Sequence, residues 1–211
     1  MDKTNEIFEK LLDTYPVLEM CRDAVLEAYD LLLACYQNGG KVLVCGNGGS
    51  AADSEHIVGE LMKGFNLRRP LSAEQKARFS SVEGGDAIAE KLQGALPAIS
   101  LVSQVGLITA FSNDVDPSLI FAQQVFAYAG DGHDVLIALS TSGNSANVVN
   151  AVVTAKVVGT KTIAITGEHE SRLSATADVC IRTPACTPYE VQEFTLPIYH
   201  ALCAMLEAEL F

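Results

Sequence analysis

The chain predicts an α/β fold: one domain, built as a three-layer α/β/α sandwich around a five-stranded parallel sheet, with a helical segment at its N-terminal side. Three observations predict it. Five runs, at 41–45, 97–102, 135–139, 161–165 and 178–182, are nearly continuous in apolar character, as parallel strands buried on both faces are. Helical stretches at 50–64, 117–129, 145–158 and 188–210 alternate with them, and strand–helix alternation builds a parallel sheet with helices on its faces. The length, 211 residues with 49% hydrophobic, suits one good-sized domain rather than two.

The elements follow in order. Residues 4–37 read as helix, broken near Pro16, with Leu11, Leu12, Val17, Leu18, Val25, Leu26, Leu32 and Leu33 as an apolar stripe. Asn38-Gly39-Gly40 ends it. This divides the chain into a helical segment, 1–38, expected to serve oligomerisation, and a ligand-binding domain, 39–211. The stretch 66–95 interrupts the alternation: Asn66 to Pro70 is basic, Ser80 to Gly85 reads as a mobile loop, and short helices fit 72–79 and 86–93. An excursion of this length beside the first strand suits a lid or interface element. The last helix has Thr187 as N-cap, Pro188 at the first helical position and Glu190 at N3. From Val191 to Phe211 it is apolar nearly all round. Such a helix belongs in a core or a subunit interface, so the chain is expected to form a homo-oligomer, with a tetramer as the favoured assembly.

Composition narrows the function. Net charge is −12, which disfavours nucleic acid as a partner. No apolar run reaches the ~18 residues of a membrane span. The start, Met1-Asp2-Lys3-Thr4-Asn5-Glu6, lacks the pattern of a signal peptide. Cysteines stand at 21, 35, 45, 180, 186 and 203, with no Cys-x-x-Cys pair. Reduced thiols and a cytoplasmic protein are expected.

Two loops carry the chemistry. Cys45-Gly46-Asn47-Gly48-Gly49-Ser50 follows the first strand, and Ser140-Thr141-Ser142-Gly143-Asn144-Ser145 follows the third. A strand, a small polar loop and a helix start aim backbone N–H groups and a positive helix end at one point, which suits phosphate. Ser140, Thr141, Ser142 and Ser145 add four hydroxyls. Ser50 reads as the cap of the helix starting at Ala51, with Asp53 completing a shortened capping box. His56 and Glu60 are four residues apart on one helical face, a spacing that serves a metal site, an acid–base pair or an ordinary exposed pair worth ~0.3–0.5 kcal/mol. Gln192 and His200 are polar exceptions on the apolar last helix, and buried polar groups need partners. They stand eight residues apart with Pro197 between them, so a kink is expected. Asp114, beside Asn113, suits sugar hydroxyls or an ordinary helix end. Gly46-x-Gly48-x-x-Ala51 matches a loose dinucleotide fingerprint. The next strand comes ~50 residues later and ends without the acidic residue such a site needs.

Taken together, Gly46-Asn47-Gly48-Gly49-Ser50, His56 with Glu60, Asn113-Asp114, Ser140 to Ser145, and Gln192-Glu193 with His200 resemble the sugar isomerase (SIS) domain family, and more narrowly its bacterial phosphoheptose isomerases. The resemblance implies a ketose–aldose isomerase that converts sedoheptulose 7-phosphate to D-glycero-D-manno-heptose 7-phosphate through an enediol(ate). It implies that Asn47, Gly48, Gly49 and Ser50 contact substrate, with Glu60 and Gln192. Ser140, Thr141, Ser142 and Ser145 would hold the phosphate, and Asn113 and Asp114 the sugar hydroxyls. Glu60 and His200 are the implied acid–base pair. His56, Glu60, Gln192 and His200 are the implied ligands of one zinc ion per subunit, in a tetramer with active sites shared between subunits. Lys63-Gly64 stands where short members carry Gly-Arg, and Tyr189 where some carry aspartate. Alternatives within the family are a non-catalytic sugar-phosphate sensor, a replication-initiator adaptor, or an enzyme of another phosphosugar. The sensor and adaptor would be expected to lack parts of the His56, Glu60, Gln192, His200 set, all of which is present.

Overall fold

A computed structural model describes residues 3–130 and 132–211. Met1 and Asp2 of the expected 1–38 segment, and Asp131, lie outside the described residues. The chain begins with α1 (Lys3–Thr14), a 3₁₀ turn (Pro16–Cys21) and α2 (Arg22–Gln37), so the expected break falls at Pro16. The sheet comprises β1 (Val42–Cys45), β2 (Ala98–Ser100), β3 (Val135–Leu139), β4 (Lys161–Thr166) and β5 (Val179–Arg182). All pairs are parallel, in the order β2-β1-β3-β4-β5.

Strand side chains alternate between two cores. Val42, Val44, Ile137, Leu139, Ile163, Ile165 and Ile181 face a layer made by α1, α2, α3 (Gly49–Met62) and α10 (Pro188–Leu210). Leu43, Cys45, Leu136, Ala138 and Ala164 face the other layer. That layer holds α6 (Val105–Asp114), α7 (Ile120–Tyr128), α8 (Ala146–Val157) and α9 (Arg172–Thr176). The result is the three-layer sandwich. The excursion forms α4 (Ala73–Phe79) and α5 (Gly85–Ala89). Its second helix is shorter than 86–93, and the Ser80–Gly85 stretch is a turn tied by the Ser80 hydroxyl to Asp86, 2.6 Å away.

The basic stretch 66–70 turns inward. Arg69 is 1% exposed and ion-paired with Glu207, also 1% exposed, at 2.8 Å. The carboxylate also accepts from the backbone N–H groups of Phe65, Asn66 and Leu67. Arg69 donates in turn to the carbonyls of Leu61 and Glu60. One buried charge pair thus fastens the end of α3, the start of the excursion and the end of α10.

Two expectations are corrected here. Most of the apolar circumference of α10 is covered within the chain: α1, α2 and α3 pack on it and Ala201 to Glu207 are buried, while Tyr189 and Leu196 stay exposed. Its hydrophobicity therefore does not by itself require a second subunit. Thr187 does start the helix, but its hydroxyl donates to the Glu190 carboxylate instead of capping a backbone N–H. Pro197 lies inside α10 without ending it.

Candidate functional site

In a sheet of this order the chain reverses direction between β1 and β3, and ligands of open α/β sheets sit at that switch point, outside the carboxyl ends of the strands. Both small polar loops leave those two strands. They are joined by a reciprocal amide pair. Asn47 Nδ2 donates to Asn147 Oδ1 at 2.8 Å, and Asn147 Nδ2 returns a bond to Asn47 Oδ1 at 2.9 Å. Asn147, in the first turn of α8, escaped the sequence reading because it lies two residues past the serine loop.

The first loop closes more tightly than expected. Gly48, at φ +57°, is the N-cap, so α3 begins at Gly49 and Ser50 is buried inside its first turn instead of capping it. Gly49 lies directly under a side chain of α10. The Gln192 amide lies over it, and a Cβ there would stand 2.6 Å from both Nε2 and Oε1. This places Gln192 of α10 at the phosphate-type loop. In the second loop, Ser140 donates to Ser145 across 3.1 Å, while the Ser142 hydroxyl accepts from the Asn144 N–H. Thr141 and Ser145 are half-buried and Ser142 is exposed. At the start of each helix the third N–H turns back to the cap carbonyl, Ala51 to Gly48 and Val148 to Ser145, and the two N–H groups before it have no intrahelical acceptor.

Asn113 and Asp114 are the last residues of α6, exposed and bonded to each other at 2.8 Å. Among the described residues no hydrogen bond ties them to either loop.

His56, Glu60 and His200 do converge, within one chain. His56 Nε2 lies 3.1 Å from Glu60 Oε1 and 3.5 Å from His200 Nε2. The helical spacing of His56 and Glu60 thus acquires its third member from α10, packed beside α3. Two residues missed in the sequence complete the set. Tyr199 Oη lies 2.8 Å from His56 Nδ1 and 3.4 Å from Asp53 Oδ1. Asp53 was expected in a capping box; it points inward instead, and its Oδ2 is buried without a partner among the described residues.

The electrostatics follow from this packing. Burial raises the Asp53 carboxyl above its ordinary value, against the opposing effects of Tyr199 and His56. Burial also works to raise Glu60, but Lys63 at 2.9 Å and then His56 outweigh it and hold the carboxyl low. His200 is pushed down by burial and by His56, with Glu60 pulling the other way. Glu60 is therefore an ionised acceptor near neutral pH and His200 a neutral imidazole.

The donor types at His56, Glu60 and His200 are those of a divalent-metal site, with His56 standing between Glu60 and His200. With the Tyr199 hydroxyl donating to Asp53, Tyr199 Oη accepts from a His56 Nδ1–H. In that tautomer the His56 Nε2 lone pair is free for a cation; in the other, Nε2–H donates to Glu60 and helps hold its carboxyl low. Imidazole nitrogens and carboxylate oxygens are zinc ligands, and an outer partner on the second ring nitrogen is their usual companion.

The chain as a whole is similar to known proteins. The SIS domain model matches residues 8–78 and 84–167. A phosphoheptose isomerase of Rhodospirillum rubrum is 34% identical over 206 residues, covering 98% of this chain and 96% of that protein. The solved structure of a phosphoheptose isomerase from Francisella tularensis superposes with a TM-score of 0.75 at 32% identity, covering 97% and 96% of the two chains. That of phosphoheptose isomerase GmhA from Neisseria gonorrhoeae gives 0.71 at 30% identity, covering 97% and 91%. The family model stops before α10, the helix that carries Gln192 and His200. The chain belongs to the SIS domain family, among its phosphoheptose isomerases.

Proposed function

We propose that the chain isomerises sedoheptulose 7-phosphate to D-glycero-D-manno-heptose 7-phosphate in the cytoplasm. The observation that carries this reading is the convergence of Glu60, His56 and His200 beside two phosphate-type loops held together by Asn47 and Asn147. The serine loop and the N-terminus of α8 hold the phosphate, as hydroxyls and helix N–H groups do. Distant phosphate binding orients the reacting carbons. Gln192, Asn47 and the Gly48–Gly49 backbone border the sugar, and Asn113 and Asp114 bind its hydroxyls.

Aldose–ketose exchange moves a proton between adjacent carbons through an enediol(ate), which needs a base, an acid and an electrophile for the developing oxyanion. Glu60, ionised and within hydrogen-bond reach of its neighbours, takes the proton from carbon. His200 exchanges a proton with the substrate oxygens and carbons on the opposite side. His56, Glu60, Gln192 and His200 would hold one zinc ion, which when bound polarises the carbonyl and enediolate oxygens as a Lewis acid. Tyr199 and Asp53 fix the His56 ring. The exposed apolar residues Tyr15, Val17 and Met20 at the α1–α2 turn support a homo-oligomer, a tetramer, assembled through the N-terminal helices.

The test is direct. Purified protein is incubated with a panel of ketose phosphates, and aldose product is followed by NMR. Selective turnover of the seven-carbon ketose supports the reading. Turnover of a shorter ketose alone replaces the substrate, and binding without turnover of any replaces the enzyme by a sensor.

A further inference from the structure

A second group of metal-ligand side chains lies away from Glu60 and His200. Glu168 and His169 follow β4, and Cys186 sits in the loop between β5 and α10. Cys186 Sγ donates to Glu168 Oε1 at 2.8 Å, lies 3.5 Å from His169 Nε2, and His169 Nδ1 is 3.9 Å from Glu168 Oε1. All three are exposed. Among the described residues they form the one set of three or more His, Cys, Asp or Glu ligand atoms gathered within 4.8 Å. We propose that Glu168, His169 and Cys186 form a site for a borderline-soft divalent cation such as zinc, separate from the isomerase centre.

Three arguments support it. The first is ligand chemistry: thiolate, imidazole and carboxylate together select zinc-like ions over magnesium or calcium, which take oxygen ligands. The second is geometry. Ligands at ~2.3 Å (sulfur) and ~2.0–2.1 Å (nitrogen) from a tetrahedral zinc stand ~3.5 Å apart, and Sγ and Nε2 already have that separation. The 2.8 Å Sγ–Oε1 contact is closer because a proton lies there in place of the ion. On binding, the S–H bond breaks, its proton goes to water, and the sulfur electron pair and the carboxylate both turn to the cation. The third is support from the backbone. The Glu168 N–H donates to Ala185 O, next to Cys186, so the two ligand-bearing loops are already joined. The Gly167 N–H donates to Thr141 O in the serine loop, so an ion here would also stiffen the wall behind that loop. A fourth position remains open to water, as in zinc sites with three protein ligands.

Cobalt tests this without relying on activity. The set of His56, Glu60, Gln192 and His200 contains no sulfur, so a thiolate-to-cobalt charge-transfer band in the near ultraviolet reports the new site alone. Titrating the full chain with Co²⁺ should give this band, and in His56→Ala, which lacks the other metal site, it should saturate at one equivalent. Cys186→Ser should abolish it, His169→Ala should weaken cobalt binding at least tenfold, and His56→Ala should leave the band intact. Circular dichroism checks that each variant is folded, which is expected because all three ligands are at the surface. Absence of the band at saturating cobalt, its survival in Cys186→Ser, or unchanged affinity in His169→Ala would overturn the proposal.

Discussion

Glu60 is poised by opposing forces: burial favours its neutral form, and Lys63 and His56 favour its charge. Replacing it by glutamine removes the acceptor with little change of volume, as Gln does at His200. Each variant should lose at least ~10²-fold in turnover, the low end for one acid–base group, with unaltered circular dichroism. Near-normal turnover in either would remove that residue from the chemistry. Tyr199→Phe asks a subtler question. It deletes the hydroxyl between Asp53 and His56 and keeps the ring that packs edge-on against both histidines. Activity or zinc affinity should drop ~10–100-fold, the usual effect of losing an outer partner of a ligand, with unchanged unfolding temperature. At this scale His56 and Glu60 were legible because four residues is one helical turn. Tyr199 and Asp53 were not: a tyrosine on an apolar helix looks like core, and an aspartate three residues after a serine looks like a cap. Only the packing of α10 on α3 shows that they face each other.

Among the elements, the strands were the clearest in the sequence. β3 matches its expected span, and the others begin or end within two residues of theirs, because unbroken apolar runs have few other homes. The small helices α5 and α9 were less legible, the first shorter than read and the second unread, since five residues carry no periodicity. The serine loop was legible as a loop after a strand and before α8, the position in which a phosphate cradle is expected. Ser142→Ala and Ser145→Ala should each weaken sugar-phosphate binding by about 1–3 kcal/mol, with inorganic phosphate as a weak competitor. Unchanged affinity in the double variant, measured by calorimetry, would place the phosphate elsewhere. The joint between the excursion and α10 was hidden, because Arg69 and Glu207 lie 138 residues apart and each looks like surface charge. Arg69→Met leaves Glu207 buried without its cation and should cost about 3–5 kcal/mol in urea unfolding. The same pair sets an acid limit. Burial acts to raise Glu207, but the N–H groups of Phe65 and Asn66, with Arg69, hold it below its ordinary value. Its stabilisation is therefore complete above the ordinary carboxylate range and is lost as pH falls through it and below. Acid unfolding of the parent chain should be steep there, and shallower in Glu207→Gln.

For the whole molecule, Glu60 and His200, the proposed acid–base pair, both reach His56 within one chain. Mixing inactive Glu60→Gln and His200→Gln chains should therefore restore no activity, even when light scattering and mass analysis show hybrid oligomers. Recovery would mean that the two residues meet across subunits in solution. The Arg69–Glu207 joint has a consequence for the order in which the molecule can be made. Synthesis runs from the N-terminal side, so residues 65–67 emerge with three backbone N–H groups whose acceptor is 140 to 142 residues away. Until residue 207 has been added, those N–H groups and the buried Arg69 have no carboxylate, and the end of α3, where Glu60 sits, is held only by its bonds to Arg69 and Leu96. The nascent chain therefore carries β1 and α3 in provisional form until Glu207 is made, and only then is the place of Glu60 secured. Chains released just before that point should be captured by chaperones or proteases, whereas chains released just after it should be native.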